Sequence, residues 1–121
     1  MRNAILIIHF TIISLSTLGQ PANWGWANGA GESYNDDCKS VCTDINGNVY
    51  ATGYYSNTSI TFGSITLVNP SGSSSSQTFY IVKYDASGNV LWAKSALSYS
   101  SEGLGITTDG FGNVFVVGGF Y

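Results

Sequence analysis

Thirteen residues of this chain come round a second time in related form. Thr43-Asp-Ile-Asn-Gly-Asn-Val-Tyr-Ala-Thr-Gly-Tyr-Tyr55 returns 65 positions later as Thr108-Asp-Gly-Phe-Gly-Asn-Val-Phe-Val-Val-Gly-Gly-Phe120. Asn23-Trp-Gly-Trp-Ala27 likewise returns as Asn89-Val-Leu-Trp-Ala93, at a spacing of 66. Two separate anchors at nearly one spacing mark a structural period. A unit that recurs with such a period buries its apolar surface against copies of itself.

A shorter element sits inside the period. Asp-x-x-Gly-Asn-Val occurs at Asp44–Val49, Asp85–Val90 and Asp109–Val114. Asp favours the first position of a type I turn, where its carboxylate accepts local N–H bonds, and Gly favours the fourth. Asp44, Gly47 and Asn48, then Asp85, Gly88 and Asn89, then Asp109, Gly112 and Asn113 are therefore expected to be structural turn residues. Each Gly is expected in the left-handed conformation that closes a hairpin with a bulge.

The flanks of these turns are strand-like. The expected strands of one period are Lys39–Thr43, Val49–Tyr55, Phe79–Tyr84 and Val90–Ala96, with Val114–Tyr121 opening the next. Val114-Phe-Val-Val117 carries no polar residue, and a continuous apolar run of that length predicts burial on both faces. The expected fold class is all-β, made of antiparallel four-stranded β-propeller blades. A two-sheet sandwich is the competing architecture, but nothing in it requires a 65-residue repeat. The chain holds about one and a half periods, where a closed propeller needs about four blades. The expectation is thus a segment of a larger propeller, with Trp24–Ala27 as the outer strand of its final blade. Were Tyr121 the true end, the uncovered edge would call for oligomerisation or aggregation.

The N-terminus reads differently. Met1-Arg-Asn3 is a short cationic start, Ala4–Leu18 is mostly apolar, and Thr17 and Gly19 are the small residues of a cleavage site before Gln20. These are the three parts of a secretory signal peptide, so residues 1–19 are assigned to it and residues 20–121 to the repeat domain. The alternative, an uncleaved anchor, wants ~20 apolar residues, whereas this run is broken by His9, Thr11, Ser14 and Ser16. No Cys follows the cut, which argues against a lipoprotein.

Cleavage removes Arg2 and His9, leaving Lys39, Lys83 and Lys94 against seven carboxylates and no Arg or His at all. Acid–base catalysis at neutral pH leans on His, and phosphate clamps lean on Arg. The expectation is no enzyme and no catalytic residue. An acidic chain of this kind is also not expected to bind nucleic acid.

The combined motif, Asp-x-x-Gly-Asn-Val-Tyr-Ala-Thr-Gly-Tyr from Asp44 followed by Phe-Tyr-Ile-Val-Lys-Tyr-Asp-Ala-Ser-Gly-Asn-Val-Leu-Trp-Ala-Lys from Phe79, resembles the bacterial secreted β-propeller repeats known as SBBP repeats. The resemblance spans about Trp24 to Tyr121. It implies a secreted or cell-surface propeller, a structural and interaction module of a larger extracellular protein. The implied partners are the remaining blades, and an extracellular protein or a glycan. The family carries no catalytic residue set and no cofactor. Departures are Gly119, where the first copy has Tyr54, and the presence of Cys38 and Cys42.

Other candidate sites have plainer readings. Cys38 and Cys42 lie four apart, ~13 Å along an extended strand, too far for a disulfide. With no His they make no zinc site, and two small buried thiols are expected. Asp44-Ile-Asn-Gly-Asn48 resembles part of a calcium loop but has Tyr55 where a bidentate Glu belongs, and no metal site is expected there. Glu32, Asp36 and Asp37 read as a solvated acidic loop. Trp24, Trp26, Trp92 and the tyrosines could stack on a sugar, the basis of the competing carbohydrate-binding or carbohydrate-processing reading. Their recurrence in register points to packing first. Asn57-Thr-Ser59 is a glycosylation sequon only in a eukaryotic pathway. Pro70–Ser76 reads as a flexible loop.

Overall fold

The computed structural model describes residues 23, 25–31, 34–96 and 100–121. The expected signal peptide, Trp24 and Glu32 lie outside the described residues. The described chain is all-β with antiparallel pairing throughout and no helix.

Eight strands follow in chain order: β1 (Asp37–Thr43), β2 (Val49–Tyr55), β3 (Ser59–Phe62), β4 (Ile65–Val68), β5 (Thr78–Tyr84), β6 (Val90–Ser95), β7 (Ser101–Thr108) and β8 (Val114–Phe120). One four-stranded sheet has the order β1-β2-β5-β6, and β3-β4 and β7-β8 form separate hairpins. The strands of the sheet fall within two residues of those expected. β3, β4 and β7 were not foreseen.

Strand alternation gives the sheet two apolar faces, called front and back here. On the front, Ala51, Tyr55, Tyr80, Val82 and Tyr84 form one buried cluster. On the back, Tyr50 and Ile81 form a second, with Phe79, Trp92 and Cys42 packed on it. Different elements cover the two faces.

The front is roofed by the β3–β4 hairpin. Its turn is Gly63-Ser64, with φ positive at Gly63 only, the φ pattern of a type II′ connection. Ile60 and Phe62 point inward and join the front cluster, while Thr61 between them is exposed. Phe62 packs on Tyr80 with ring centroids 5.0 Å apart. The segment that follows is gathered around Asn69, which is 1% exposed. Its amide donates to the carbonyls of Asn57, Ser73 and Ser76 and accepts from Ser71. The Pro70–Ser76 stretch, read from composition as flexible, is thus folded onto a buried amide.

The back is covered by β7, which crosses it diagonally. At one end Ser101 N donates to Gln77 O and Ser101 Oγ accepts from Phe79 N, beside β5. At the other, Ile106 N donates to Ser40 Oγ (3.3 Å) and Thr108 Oγ1 to Thr43 O (3.1 Å), over β1. Ile106 completes the back cluster, with Val114 and Val116 of β8 packed against it. Where β7 crosses, Gly103 leaves no room for a side chain: a Cβ there would overlap Thr52 Oγ1 and press on the Phe79 ring.

The β1–β2 and β7–β8 hairpins are one structure used twice. Asp37↔Tyr54, Cys38↔Gly53, Ser40↔Thr52, Val41↔Ala51 and Cys42↔Tyr50 recur as Glu102↔Gly119, Gly103↔Gly118, Gly105↔Val117, Ile106↔Val116 and Thr107↔Phe115, each pair shifted by 65. The β-bulge recurs too, between Cys38 and Ser40 and between Gly103 and Gly105. Opposite it stand Gly53 and Gly118, where a Cβ would run into the carbonyl oxygens of Asp37 and Glu102 respectively.

One expectation is corrected. The apolar run Val114–Val117 is buried on one face only: Val114 and Val116 pack on the sheet, whereas Phe115 is 55% and Val117 68% exposed. The reason is that β7–β8 covers the sheet with one side, and no described residue covers the other. Of the Trp24–Ala27 stretch, residues 25–27 pair with no strand. Trp26 instead stacks on Tyr84 at 5.4 Å and donates Nε1–H to Ala86 O, while Asn28 donates to Gly88 O.

Candidate functional site

The three Asp-x-x-Gly-Asn turns share one hydrogen-bond pattern. In the first, Asp44 Oδ1 accepts from the backbone N–H of Asn46 (2.9 Å) and Asn48 (3.0 Å), and Oδ2 accepts from Asn48 Nδ2 (2.7 Å). Asp85 makes the same bonds with Ser87 and Asn89, and Asp109 with Phe111 and Asn113. Gly47, Gly88 and Gly112 sit at φ of 78°, 87° and 86°, the left-handed region open to glycine. In each turn the Asn side-chain amide, helped by the backbone donors, holds the Asp carboxyl below the ordinary carboxylate range.

Both oxygens of every turn carboxylate are thus occupied by their own loop. The partial calcium-loop pattern at Asp44–Asn48 is turn chemistry, and Tyr50 Oη and Lys83 Nζ also approach Asp44 Oδ2, at 3.0 and 3.8 Å. Among the described residues, no three His, Cys, Asp or Glu side chains cluster closely enough to hold a metal ion. The turns do share a location. A Cβ at Gly47 would lie 3.5 Å from Ala86, and Thr108 bonds to Thr43, so all three gather at one end of the stacked sheets. Ile45 and Phe111 are exposed at their tips.

The front face holds an open cavity of about 410 Å³. Val41, Val49 and Ala51 of β1–β2 line its sheet side, together with Phe62 of the roof and Trp26. The β3–β4 roof therefore stops short of β1, where Val41 is 63% exposed, while Ala51 beside it on β2 is buried. Tyr80 is tied to the rim, donating to Asp37 O at 3.3 Å. Burial pushes the Tyr80 hydroxyl far above the ordinary phenol range, so it remains a donor. The Asp37 carboxylate is paired with Lys39.

Both cysteines are free. Cys42 packs against the back cluster, and burial pushes its thiol up. Cys38 is exposed and lines the front cavity, which corrects the expectation of two buried thiols. The cause is the bulge at Lys39: it shifts the alternation by one, so residues four apart face opposite sides of the sheet.

Of the aromatic side chains that could form a sugar platform, Trp26, Trp92 and Tyr50 are used in packing, whereas Tyr34 and Tyr121 are exposed. Trp26 lies on Tyr84, and Trp92 meets Tyr50 edge-on at 6.1 Å, with Lys83 Nζ over the Tyr50 ring. The features that sequence reasoning missed are the roof hairpin and the open cavity beside it. Ile-Thr-Phe62 and Ile65-Thr-Leu-Val around Gly63-Ser64 carried the hairpin signal. Among the described residues no helix is long and apolar enough to cross a membrane. No protein-family model matches the chain, and no curated protein matches it either.

Proposed function

We propose that this chain is a non-enzymatic repeat scaffold of β-propeller-blade type. It is exported, and it serves as a structural and interaction segment of a larger secreted or cell-surface protein. The observation that carries this reading is the packing of one copy of the repeat on the other. The second bulged hairpin lies on the back of the first sheet, and Thr108 bonds to the residue 65 positions before it. A unit that is completed by its own successor is built to be stacked.

The chemistry of the side chains supports a role through surfaces. After residue 19 there is no His and no Arg, and the three turn carboxylates are committed to their loops. The partners that fit are the remaining blades of the same protein, with an extracellular protein or a glycan bound at loops.

Hydrogen exchange on the full chain tests the stacking. Amides of β7 and β8 are expected to be protected to the same level as those of β2 and β5, as one cooperative unit. A β7–β8 hairpin that exchanges freely while the sheet stays protected would overturn the reading. Export is tested separately: the product released by a secreting bacterial host should begin at Gln20 by mass spectrometry, and retention of residues 1–19 would overturn that part.

A further inference from the structure

Four segments that lie far apart in sequence meet beside the end of β2 and line a cavity of about 530 Å³, within the size range of small-molecule sites. They are residues 34–35 before β1, Ser56 after β2, residues 74–77 before β5, and Ser100 before β7. No lining side chain is an acid, a lysine, an arginine or a histidine.

The walls are fixed by bonds that leave the lining side chains out. Asp36 Oδ1 accepts from Ser56 N (3.2 Å), which ties the stretch before β1 to the end of β2. Asn69, 1% exposed, donates to the carbonyls of Ser73 and Ser76 and so holds the serine-rich loop. Gln77 O accepts from Ser101 N (2.9 Å), which fixes the remaining wall. By contrast, the side chains of Asn35, Ser74, Ser75 and Gln77 make no hydrogen bond among the described residues. Ser56 is only 9% exposed, and it lines the cavity with a hydroxyl that also has no partner among the described residues. A buried polar group is seldom left unpaired, so this hydroxyl is placed to bond to what enters the cavity.

We propose that this cavity binds a neutral saccharide unit of one or two rings. The proposal rests on the scaffold reading above and deepens it, giving that scaffold a ligand. A sugar presents adjacent hydroxyls, each both donor and acceptor, on a ring with apolar C–H faces. The Asn35 and Gln77 amides each carry an acceptor beside a donor, which suits two neighbouring hydroxyls at once, and serine hydroxyls serve in either role. Tyr34 is 55% exposed, and its ring brings an apolar face with a polar tip. An uncharged lining gives no preference to an anion or a cation. A wall that is apolar only at Tyr34 gives none to a greasy side chain. A sugar that replaces several cavity waters keeps their hydrogen bonds on a single frame and releases the waters.

Amide shifts of the full chain by NMR test this, with maltose, lactose and N,N′-diacetylchitobiose as probes. Each is added to about 10 mM, where even a millimolar site is mostly filled. At least one is expected to shift the amides of residues 34–35, 56, 74–77 and 100 while leaving those of β6 and β8 in place. Gln77→Ala and Tyr34→Ala should each weaken that binding by about fivefold to tenfold, the loss of a neutral hydrogen bond or of a ring face. Neither side chain makes a hydrogen bond among the described residues, so both variants should keep the wild-type urea midpoint. The proposal is overturned if none of the three sugars shifts an amide, if the shifts map elsewhere, or if both variants bind as the wild type does. A chain that binds no sugar while β7 and β8 stay protected from exchange loses this proposal alone. Free exchange of those amides removes the scaffold reading, whether or not a sugar binds.

Discussion

Replacing Ile106 with Ala removes the side chain that joins the second hairpin to the back of the first sheet. Ile106 is 9% exposed and shares a cluster with Tyr50 and Ile81. The substitution deletes three carbons, which at ~0.8 kcal/mol each lose about 2.4 kcal/mol of burial. The void left between two sheets relaxes only partly and brings the cost to about 3 kcal/mol. Urea unfolding at low protein concentration, followed by tryptophan fluorescence, reads this directly because Trp92 packs on the same cluster. With a slope of about 1 kcal/mol per M for a domain of this size, the midpoint should fall by roughly 2–3 M. Val68→Ala, at a position 68% exposed on β4, should cost under about 1 kcal/mol. The cycle with Ile81→Ala adds a second requirement: side chains in one cluster should couple by about 1 kcal/mol. If Ile106→Ala costs no more than Val68→Ala, or if Ile106 and Ile81 are strictly additive, the hairpin does not rest on the sheet and the stacking argument fails.

Acid should act through the turns. Asp44, Asp85 and Asp109 have carboxyls held below the ordinary range, so their contribution is complete above the unfolded value of about 3.9 and is lost as pH falls through the folded values. Urea midpoints should therefore hold from neutral pH down to about pH 4 and drop below it, with a shallower drop in Asp85→Asn; a steep loss between pH 7 and 5 would contradict this. Gly103→Ala should cost more than about 3 kcal/mol because Thr52 and Phe79 already fill the space, while Gly110→Ala, with nothing near, should stay within about 0.5 kcal/mol. Equal midpoints for the two would show that β7 does not cross there. In the native, dilute chain a maleimide should label Cys38 at least about tenfold faster than Cys42, since access governs thiol reactivity. Mass spectrometry of the tryptic peptides measures this, and equal rates would place both thiols on one face.

What could be read from the sequence was what local chemistry dictates. The bounds of β2 come from Asn48 on one side and Ser56 on the other. The three Asp turns carry their signal within six residues, because each carboxylate takes its turn-forming bonds from its own loop. β7 was hidden for the converse reason. Its likeness to β1 lies in register and bulge, while the aligned residues share little beyond Thr43 and Thr108. Nothing local distinguishes Gly103 as a crossing point until Thr52 and Phe79 are placed against it. The side Cys38 faces lies in the same gap: simple alternation puts residues four apart on one face, and one bulge reverses that. Val114–Val117 shows the limit from the other direction, since an apolar run states that a face is fit for burial without supplying what buries it.

The roof hairpin explains why the same unit can stack and still be specific. A sheet apolar on both faces would pack its front anywhere along its width. Here Ile60 and Phe62 occupy the part over Tyr80, so the open part of the front lies over β1, where Val41 is exposed beside half-buried Val49 and buried Ala51. The back is used at the corresponding place, since β7 ends over β1 with Thr108 on Thr43. Residues 56–77, between β2 and β5, thus limit the open front to the β1 side without contributing to the repeated hairpin itself. In this chain the residues that pack one hairpin on the other, Ile106, Val114 and Val116, and the exposed turn tips Ile45 and Phe111 are different residues, so a change at the tips leaves the packing untouched.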